Sequence, residues 1–237
     1  MSSKIDFLLL AALPLVIAAV GFAQASGAQK ASEHHEDHMK KRFDPAHSAS
    51  FDDPKRDEWQ KPDEVISVLD LKPGMRVADI GAGTGYFTVR LARHAAKPNV
   101  YAVDIEPKML KHIQERMRTE HLDNVSTVLA GENSPNFPEL MDLVIIVNTY
   151  HHVPDRSTYF AALLPKLAPG GRIAIIDFRP DADGGPPAQY RFSAQQIQKE
   201  MAEAGYRLRN QHHFLPRQTF QVFEANPTKQ RSTEKRR

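Results

Sequence analysis

Three glycines at alternate positions, placed between an apolar run and a helical pattern, constrain this chain more than any other feature of its sequence. The run 76–80 is typical of a buried strand, and Gly81, Gly83 and Gly85 follow it directly. Glycine reaches backbone dihedrals with positive φ and lets a ligand approach the main chain with no Cβ in the way. We therefore interpret the segment as a strand-to-helix turn that holds a ligand against its backbone.

The glycine spacing argues against two common nucleotide-binding loops. A dinucleotide-binding turn has the pattern G-x-G-x-x-G, whose third glycine lets the helix pack on the strand while the helix N-terminus receives a pyrophosphate. Here position 86 is Tyr, and the third glycine comes one residue early. The pattern therefore disfavours a nicotinamide-dependent dehydrogenase. A Walker loop is excluded too, because no Lys-Ser or Lys-Thr pair follows the glycines.

Short β-rich runs alternate with helical patterns over 63–225, which is typical of a parallel sheet covered on both faces. The predicted strands are 76–80, 100–103, 125–129, 143–147 and 172–177, and the predicted helices are 64–69, 86–95, 107–119, 157–167 and 193–204. Two last strands, near 206–213 and 219–225, are joined by a connection too short for a crossover helix, so they should pair antiparallel. The predicted fold is α/β, a Rossmann-like doubly wound sheet that ends in a hairpin.

Composition narrows the class of protein further. The 237 residues, 41% hydrophobic and 25% charged, suit one mid-sized domain with an appendage. A formal net charge of +2 gives no electrostatic argument for wrapping nucleic acid, so no nucleic-acid partner is expected. The absence of cysteine excludes disulfides, thiolate metal sites and cysteine nucleophiles.

The first 25 residues predict a signal peptide or an anchor. Lys4 precedes an apolar run, and the small residues Ala23 and Ala25 suit cleavage before Ser26. Cleavage would export the chain, and we expect it in the periplasm. The alternative is an uncleaved segment that anchors the chain, and membrane contact is expected only through 1–25 in that case.

Two more polar segments flank the domain that we predict over 63–226. Residues 26–62 are expected to form a polar linker or an arm that contains His34, His35 and His38, and 227–237 a basic disordered tail. The three histidines could hold a divalent metal, but a solvated polar run is the preferred explanation, so no metal site is predicted. Trp59 either packs the arm onto the domain or shapes a pocket.

The letters D-I-G-A-G-T-G at 79–85 resemble motif I of class I S-adenosylmethionine-dependent methyltransferases, and the likeness extends over 63–225. Within that family the chain resembles small exported or anchored bacterial members, without an identified acceptor. The resemblance implies a seven-stranded sheet with an antiparallel last strand, and S-adenosyl-L-methionine as cofactor. It also implies that the methionine and ribose part of the cofactor is lined by Asp79, Gly81, Ala82, Gly83, Thr84 and Gly85.

Asp104 ends the second predicted strand, where the family places an acidic residue on the ribose hydroxyls. An ionised carboxylate accepts two hydrogen bonds from a vicinal diol, which supports this role on chemical grounds. The alternative is that Asp104 caps the helix that begins at Pro107. Ile105 is expected as an apolar wall for adenine. By resemblance, Glu132 or Asn133 would contact the adenine amine, although a simple turn also explains them.

The candidate catalytic residues follow the fourth predicted strand, in the run Asn148 to Pro154. Ligands of open α/β sheets bind beyond the carboxyl ends of the strands, and this run lies there. His151 or His152 is predicted as a general base, Tyr150 as a wall or donor to the acceptor, and Asn148 as a cofactor contact. The alternative is that one histidine caps the strand and the other faces solvent. Asp177 is expected to border the acceptor pocket.

The sequence thus predicts an enzyme that transfers a methyl group to a small-molecule or lipid-like acceptor by in-line displacement. Methyltransferases that act on exocyclic amines typically carry two prolines and an aromatic residue after the Asn at this place, and 149–151 has none of those prolines. Adenine and glutamine acceptors are therefore disfavoured. The competing hypothesis is an exported cofactor-binding or metal-binding protein without catalytic activity.

Overall fold

A computed structural model of the chain describes residues 51–227. The helices are α1 (Arg56–Gln60), α2 (Pro62–Ser67), α3 (Tyr86–Arg93), α4 (Pro107–Thr119), α5 (Arg156–Leu163) and α6 (Ala194–Glu203). The strands are β1 (Arg76–Ile80), β2 (Asn99–Asp104), β3 (Val125–Leu129), β4 (Met141–Val147), β5 (Leu167–Phe178), β6 (Tyr206–His212) and β7 (Gln218–Ala225). The predicted signal or anchor, the three histidines of the arm and residues 228–237 lie outside the described residues.

All seven strands form one sheet in the order β3-β2-β1-β4-β5-β7-β6. The pairs from β3 to β5 are parallel, whereas β7 pairs antiparallel with both β5 and β6. The predicted doubly wound sheet with an antiparallel last strand is therefore confirmed. Because the parallel strands share one direction, β1, β2, β4 and β5 all end at the same side, where β7 begins, and we call this side the carboxyl edge.

The central strands are buried on both faces because almost every position in them is apolar. Leu143 and Ile145 of β4 belong to the layer covered by α2 and α3, and Val144 and Ile146 to the layer covered by α5 and α6. This alternation follows from the two-residue period of a strand. Among residues 51–227, no helix combines the length and apolar character needed to span a membrane.

The largest boundary error concerns the start of β5. The sequence predicted a helix to 167 and a strand from 172, whereas α5 ends at Leu163, a 3-10 turn covers Leu164–Lys166 and β5 begins at Leu167. Proline in that turn has no N–H to extend the α-helix. A Cβ on Gly171 would lie 2.8 Å from the Ala168 carbonyl oxygen, so glycine is needed where the irregular start of β5 passes close to itself.

Residues 51–60, which belong to the predicted polar linker or arm, pack on the carboxyl edge, as one of the two alternatives for Trp59 predicted. Trp59 lies against Phe178 at the end of β5, with ring centroids 5.4 Å apart. Gln60 is fully buried and donates to the Gln218 side chain, which donates to Asn148, which donates back to Gln60 at 3.1 Å. This closed ring of three carboxamides, which we call the amide ring, joins α1 to the end of β4 and the start of β7.

The amide ring predicts a stability effect. Replacing Gln218 with Leu leaves the side-chain N–H of Gln60 and the side-chain oxygen of Asn148 without their partner in the ring, and we expect the free energy of unfolding to fall by about 1–3 kcal/mol. Urea unfolding measures it. The same replacement at Gln195, which is exposed on α6, should change the free energy of unfolding by less than about 0.5 kcal/mol. Equal effects at the two positions would contradict the proposed contribution of the ring.

Candidate active site

The glycine loop passes between the ends of β2 and β4. The backbone N–H groups of Gly81 and Ala82 donate to the Val103 carbonyl at 2.8 and 3.1 Å, which fastens the loop to β2. On the other side, a Cβ on Gly81 would lie 2.3 Å from Thr149 Oγ1, and the φ of Gly81 is +72°. Only glycine satisfies both constraints at this position.

Gly83, at the middle of the loop, leaves its main chain open on one side. Its φ is +56°, and a Cβ there would meet nothing nearer than 4.0 Å, the distance to the Phe51 ring and to the Gly81 carbonyl. Thr84 follows with a buried hydroxyl that has no hydrogen-bond partner within residues 51–227. The loop therefore offers an uncovered backbone surface of the kind that the sequence predicted.

The structure places Asp104 directly beside this surface. Its Oδ2 accepts from the Gly83 N–H at 2.9 Å, and its Oδ1 accepts from the Glu106 N–H at 2.9 Å. Burial raises the pKa of Asp104, while these backbone bonds oppose the rise. The N-cap of α4 is Glu106, whose side chain accepts from the Lys108 N–H, so the alternative role of Asp104 as helix cap is wrong.

Asp79 supports the loop from within. It is buried, and its Oδ2 accepts from Thr88 Oγ1 of α3 at 2.7 Å. Burial raises the pKa of Asp79 to about 6; the Thr88 bond opposes this rise and the Asp104 charge adds to it. The carboxylate thus joins β1 to α3 beneath the glycines.

The other predicted cofactor residues are spread along the carboxyl edge. Ile105 is 38% exposed after β2. Glu132 and Asn133 are exposed in a turn after β3, closed by a bridge between Gly131 and Ser134. These three lie on the same side of the loop as Asp104. The side chain of Asn148 lies on the opposite side and belongs to the amide ring, so it is engaged with α1 and β7 instead of reaching toward a ligand.

His151 and Asp177 form a buried pair at the ends of β4 and β5. Nδ1 of His151 lies 2.9 Å from Asp177 Oδ2 and 3.0 Å from Oδ1. The same carboxylate accepts from the His151 backbone N–H at 3.1 Å and from the Phe178 N–H at 2.7 Å. An ionised carboxylate only accepts hydrogen bonds, so Nδ1 carries the proton and Nε2 is left as the acceptor nitrogen.

The neighbours of His151 differ in their environment. His152 is partly buried, and its ring centroid lies 4.1 Å from that of His151. Tyr150 is fully buried, stacks on Phe160 and donates its hydroxyl to Glu200. Burial and the bond to Glu200 raise the pKa of Tyr150. The expected role of Tyr150 as a wall or donor to the acceptor is corrected here: the core encloses its side chain.

Sequence reasoning assigned Asp177 only to the border of a pocket and missed its pairing with His151. The available signal was topological. Strands β4 and β5 are neighbours, so an acidic residue at the end of one and a histidine just past the end of the other meet at the same edge. The segment from Phe51 was also missed, although Arg116 Nη1 contacts both Asp52 Oδ1 and the Thr84 carbonyl at 3.1 Å.

Comparisons with known proteins agree with this geometry. Residues 77–171 match the family described as a methyltransferase domain. The ubiquinone/menaquinone biosynthesis C-methyltransferase UbiE of Shewanella piezotolerans is 33% identical over 117 residues, which are 48% of this chain and 47% of that protein. The protein-L-isoaspartate O-methyltransferase of Aeropyrum pernix is 31% identical over 126 residues, 49% of this chain and 44% of that protein. The chain thus spans about half the length of the curated relatives it matches.

A solved structure extends the likeness over most of the described fold. The S-adenosylmethionine-dependent methyltransferase of Aquifex aeolicus is 28% identical, with a TM-score of 0.69, and the match covers 77% of this chain and 98% of that one. That protein is named for its dependence on S-adenosylmethionine, and the open Gly83 backbone beside the Asp104 carboxylate fits the nucleoside part of such a cofactor.

Asp104 predicts a measurable loss of cofactor affinity. Replacing it with Ala removes the charged acceptor that we expect for the ribose hydroxyls, and binding of S-adenosylhomocysteine should weaken by about 1.5–3 kcal/mol, or roughly 10- to 150-fold. Isothermal titration calorimetry measures it. Glu115→Ala, which removes an exposed carboxylate of α4, is the control and should bind like the wild type. Unchanged affinity of the Asp104 variant would exclude this residue from the site.

Asp79 predicts a pH-dependent stability. Because its pKa is raised in the folded state, the folded protein holds the proton more tightly, and this contribution is fully present below about pH 4 and is lost as the pH rises through about 6. Asp79→Asn should therefore stabilise the protein by roughly 2–3 kcal/mol at pH 7.5, and by less at pH 4.5. Urea unfolding at both pH values tests it, with the exposed Asp123→Asn as control. An equal change at both values would show that burial of the charge is not the cause.

Proposed function

We propose that this chain, whose domain is a class I S-adenosylmethionine-dependent methyltransferase, methylates a small-molecule or lipid-like acceptor whose reacting group carries a proton. When bound, the cofactor supplies a methyl group on a positively charged sulfur. The observation that carries the proposal is the buried pair of His151 and Asp177, which is arranged to remove a proton. An acceptor that loses no proton on methylation would need no such base.

Asp177 fixes the form of the imidazole in this proposal. Its carboxylate holds the proton on Nδ1, so Nε2 is free to take a proton from the acceptor. The imidazolium that results is stabilised by the same carboxylate, which two backbone N–H groups hold in place. Asp177 therefore acts as a positioning residue, and His151 as the general base.

Thr149 sets the distance between the base and the cofactor. It lies against Gly81 and comes two residues before His151, so the base is attached to the residue that contacts the glycine loop. Such fixed spacing aligns an acceptor with the methyl group and lowers the entropic part of the barrier. Trp59 and Phe178 add an apolar surface beside Asp177, which excludes water from the reacting groups.

The acceptor that we propose is a hydroxylated ring compound of apolar character. The UbiE relative is named for carbon methylation in ubiquinone and menaquinone biosynthesis, and the apolar pair Trp59 and Phe178 suits a ligand of that kind. Removing a hydroxyl proton increases the electron density of such a ring, which favours attack by carbon or oxygen. Export to the periplasm stays a prediction from residues 1–25.

The assignment of His151 as the general base predicts a specific kinetic result. His151→Gln should lower kcat by about 10²- to 10⁴-fold while the affinity for S-adenosylhomocysteine changes by less than about twofold, because the lost group acts only on the acceptor proton. Transfer of a tritiated methyl group to a quinol-containing lipid extract measures kcat. Asp177→Asn should also lower kcat and shift its pH profile, because the amide no longer fixes the tautomer.

His152→Gln is the matched control, since it changes the adjacent ring and leaves the pair with Asp177 intact. It should keep kcat within about fivefold of the wild type, well below the general-base range. A larger loss at His152 than at His151 would contradict the assignment of the base. Methyl transfer by His151→Gln at the wild-type rate would show that the acceptor needs no base.

A further inference from the structure

We propose that Arg56 binds the carboxylate of the amino-acid part of S-adenosylmethionine, which makes α1 a part of the cofactor site. The inference rests on the cofactor stated above and assigns a residue that lies outside the glycine motif. A methionine moiety ends in a carboxylate, and guanidinium is the side chain that binds a carboxylate through two parallel hydrogen bonds.

The guanidinium of Arg56 is held in place by hydrogen bonds, but not all of its N–H donors have a partner within residues 51–227. Nη1 donates to the Phe51 carbonyl at 2.8 Å, and Nε and Nη2 each lie 3.4 Å from Gln60 Oε1. Its plane lies over the Tyr86 ring, 3.8 Å from the centroid. Arginine has five N–H donors, so two remain without a partner within residues 51–227.

Arg56 also has no carboxylate partner among the described residues, which distinguishes it from its neighbour Arg90. Arg90 contacts the same Tyr86 ring at 3.9 Å, but it is paired with Asp57 at 2.9 and 3.0 Å. Arg56 is partly buried, and burial lowers its pKa despite the nearby charges of Asp52 and Asp79. A cation withdrawn from water without a carboxylate in direct contact is unfavourable, and the carboxylate of a bound ligand would supply that contact.

The sheet order places Arg56 at the correct end of the cofactor. β1 lies between β2 and β4, and Asp104 marks the ribose on the β2 side. The sulfur must lie toward His151 on the β4 side, because the methyl group is delivered there. The amino-acid part extends from that sulfur.

Gln60 links Arg56 to the β4 side. Its Oε1 accepts from Asn148, which follows β4, and also contacts the Arg56 guanidinium. The ring beneath the guanidinium belongs to Tyr86, the residue after the last glycine of the loop. Arg56 therefore lies across the glycine loop from Asp104, where the carboxylate is expected.

Two ligands that differ in the amino-acid part test the proposal. S-adenosylhomocysteine has the carboxylate, and 5′-methylthioadenosine keeps the adenosine and sulfur but lacks the amino acid. In calorimetric titrations, Arg56→Gln should weaken S-adenosylhomocysteine about 10- to 150-fold and leave 5′-methylthioadenosine within about twofold. Arg56→Lys should recover part of the loss, because it keeps the charge and loses the bidentate geometry.

Arg90→Gln is the matched control, since it removes a guanidinium from the same ring without removing the unpaired charge. It should change the affinities of both ligands by the same factor. Equal weakening of both ligands by Arg56→Gln, or unchanged binding of both, would overturn the proposal. If Arg56→Gln weakens only S-adenosylhomocysteine and the wild-type protein transfers no methyl group, the result would support the role of Arg56 and refute the proposed function. A wild-type protein that binds neither ligand would refute both.

Discussion

The site depends on one close approach, the contact of the Gly81 backbone with Thr149. Gly81 is tied to β2 through the Val103 carbonyl and touches the residue that leads from β4 to His151. A side chain at this position would separate the two halves of the carboxyl edge. Because Gly81 has no side chain, the carboxylate expected to hold the ribose, at the end of β2, and the histidine proposed as base, just after β4, lie on either side of β1 in one sheet. Their relative position is therefore determined by backbone packing and does not depend on a long loop.

The pair of His151 and Asp177 shows how the fold offsets the cost of burying charge. Removing a carboxylate from water is unfavourable unless its oxygens are satisfied. Asp177 accepts from two backbone N–H groups as well as from the imidazole, so its position is fixed before any proton moves. Such preorganisation is what a general base needs, since no reorientation then accompanies the proton transfer. The same principle separates Arg56 from Arg90: Arg90 is paired with the Asp57 carboxylate, whereas Arg56 has no carboxylate partner among residues 51–227.

The sequence predicted those features that follow from periodicity and from backbone chemistry. The doubly wound sheet, the antiparallel last strand and the location of Asp104 at the end of the second strand depend on patterns that are local or carried by the family resemblance. The direction in which individual side chains point was less predictable. Tyr150 and His151 are consecutive, yet one enters the core and the other meets Asp177, because a short 3-10 turn directs them differently. Residues 51–60 are polar in composition, and although Trp59 offered packing on the domain as one alternative, the bond between Gln60 and Gln218, which are far apart in sequence, could not be predicted.

The amide ring has a consequence for how the chain responds to its ligand. Each carboxamide in it is donor and acceptor at once, so no member can leave without breaking two hydrogen bonds. Undocking α1 would therefore loosen the turn after β4 and the start of β7 together. Order in α1 and order around the histidine are thus linked thermodynamically. If the order of α1 increases the affinity for a ligand, binding of that ligand stabilises the order of α1 by the same free energy.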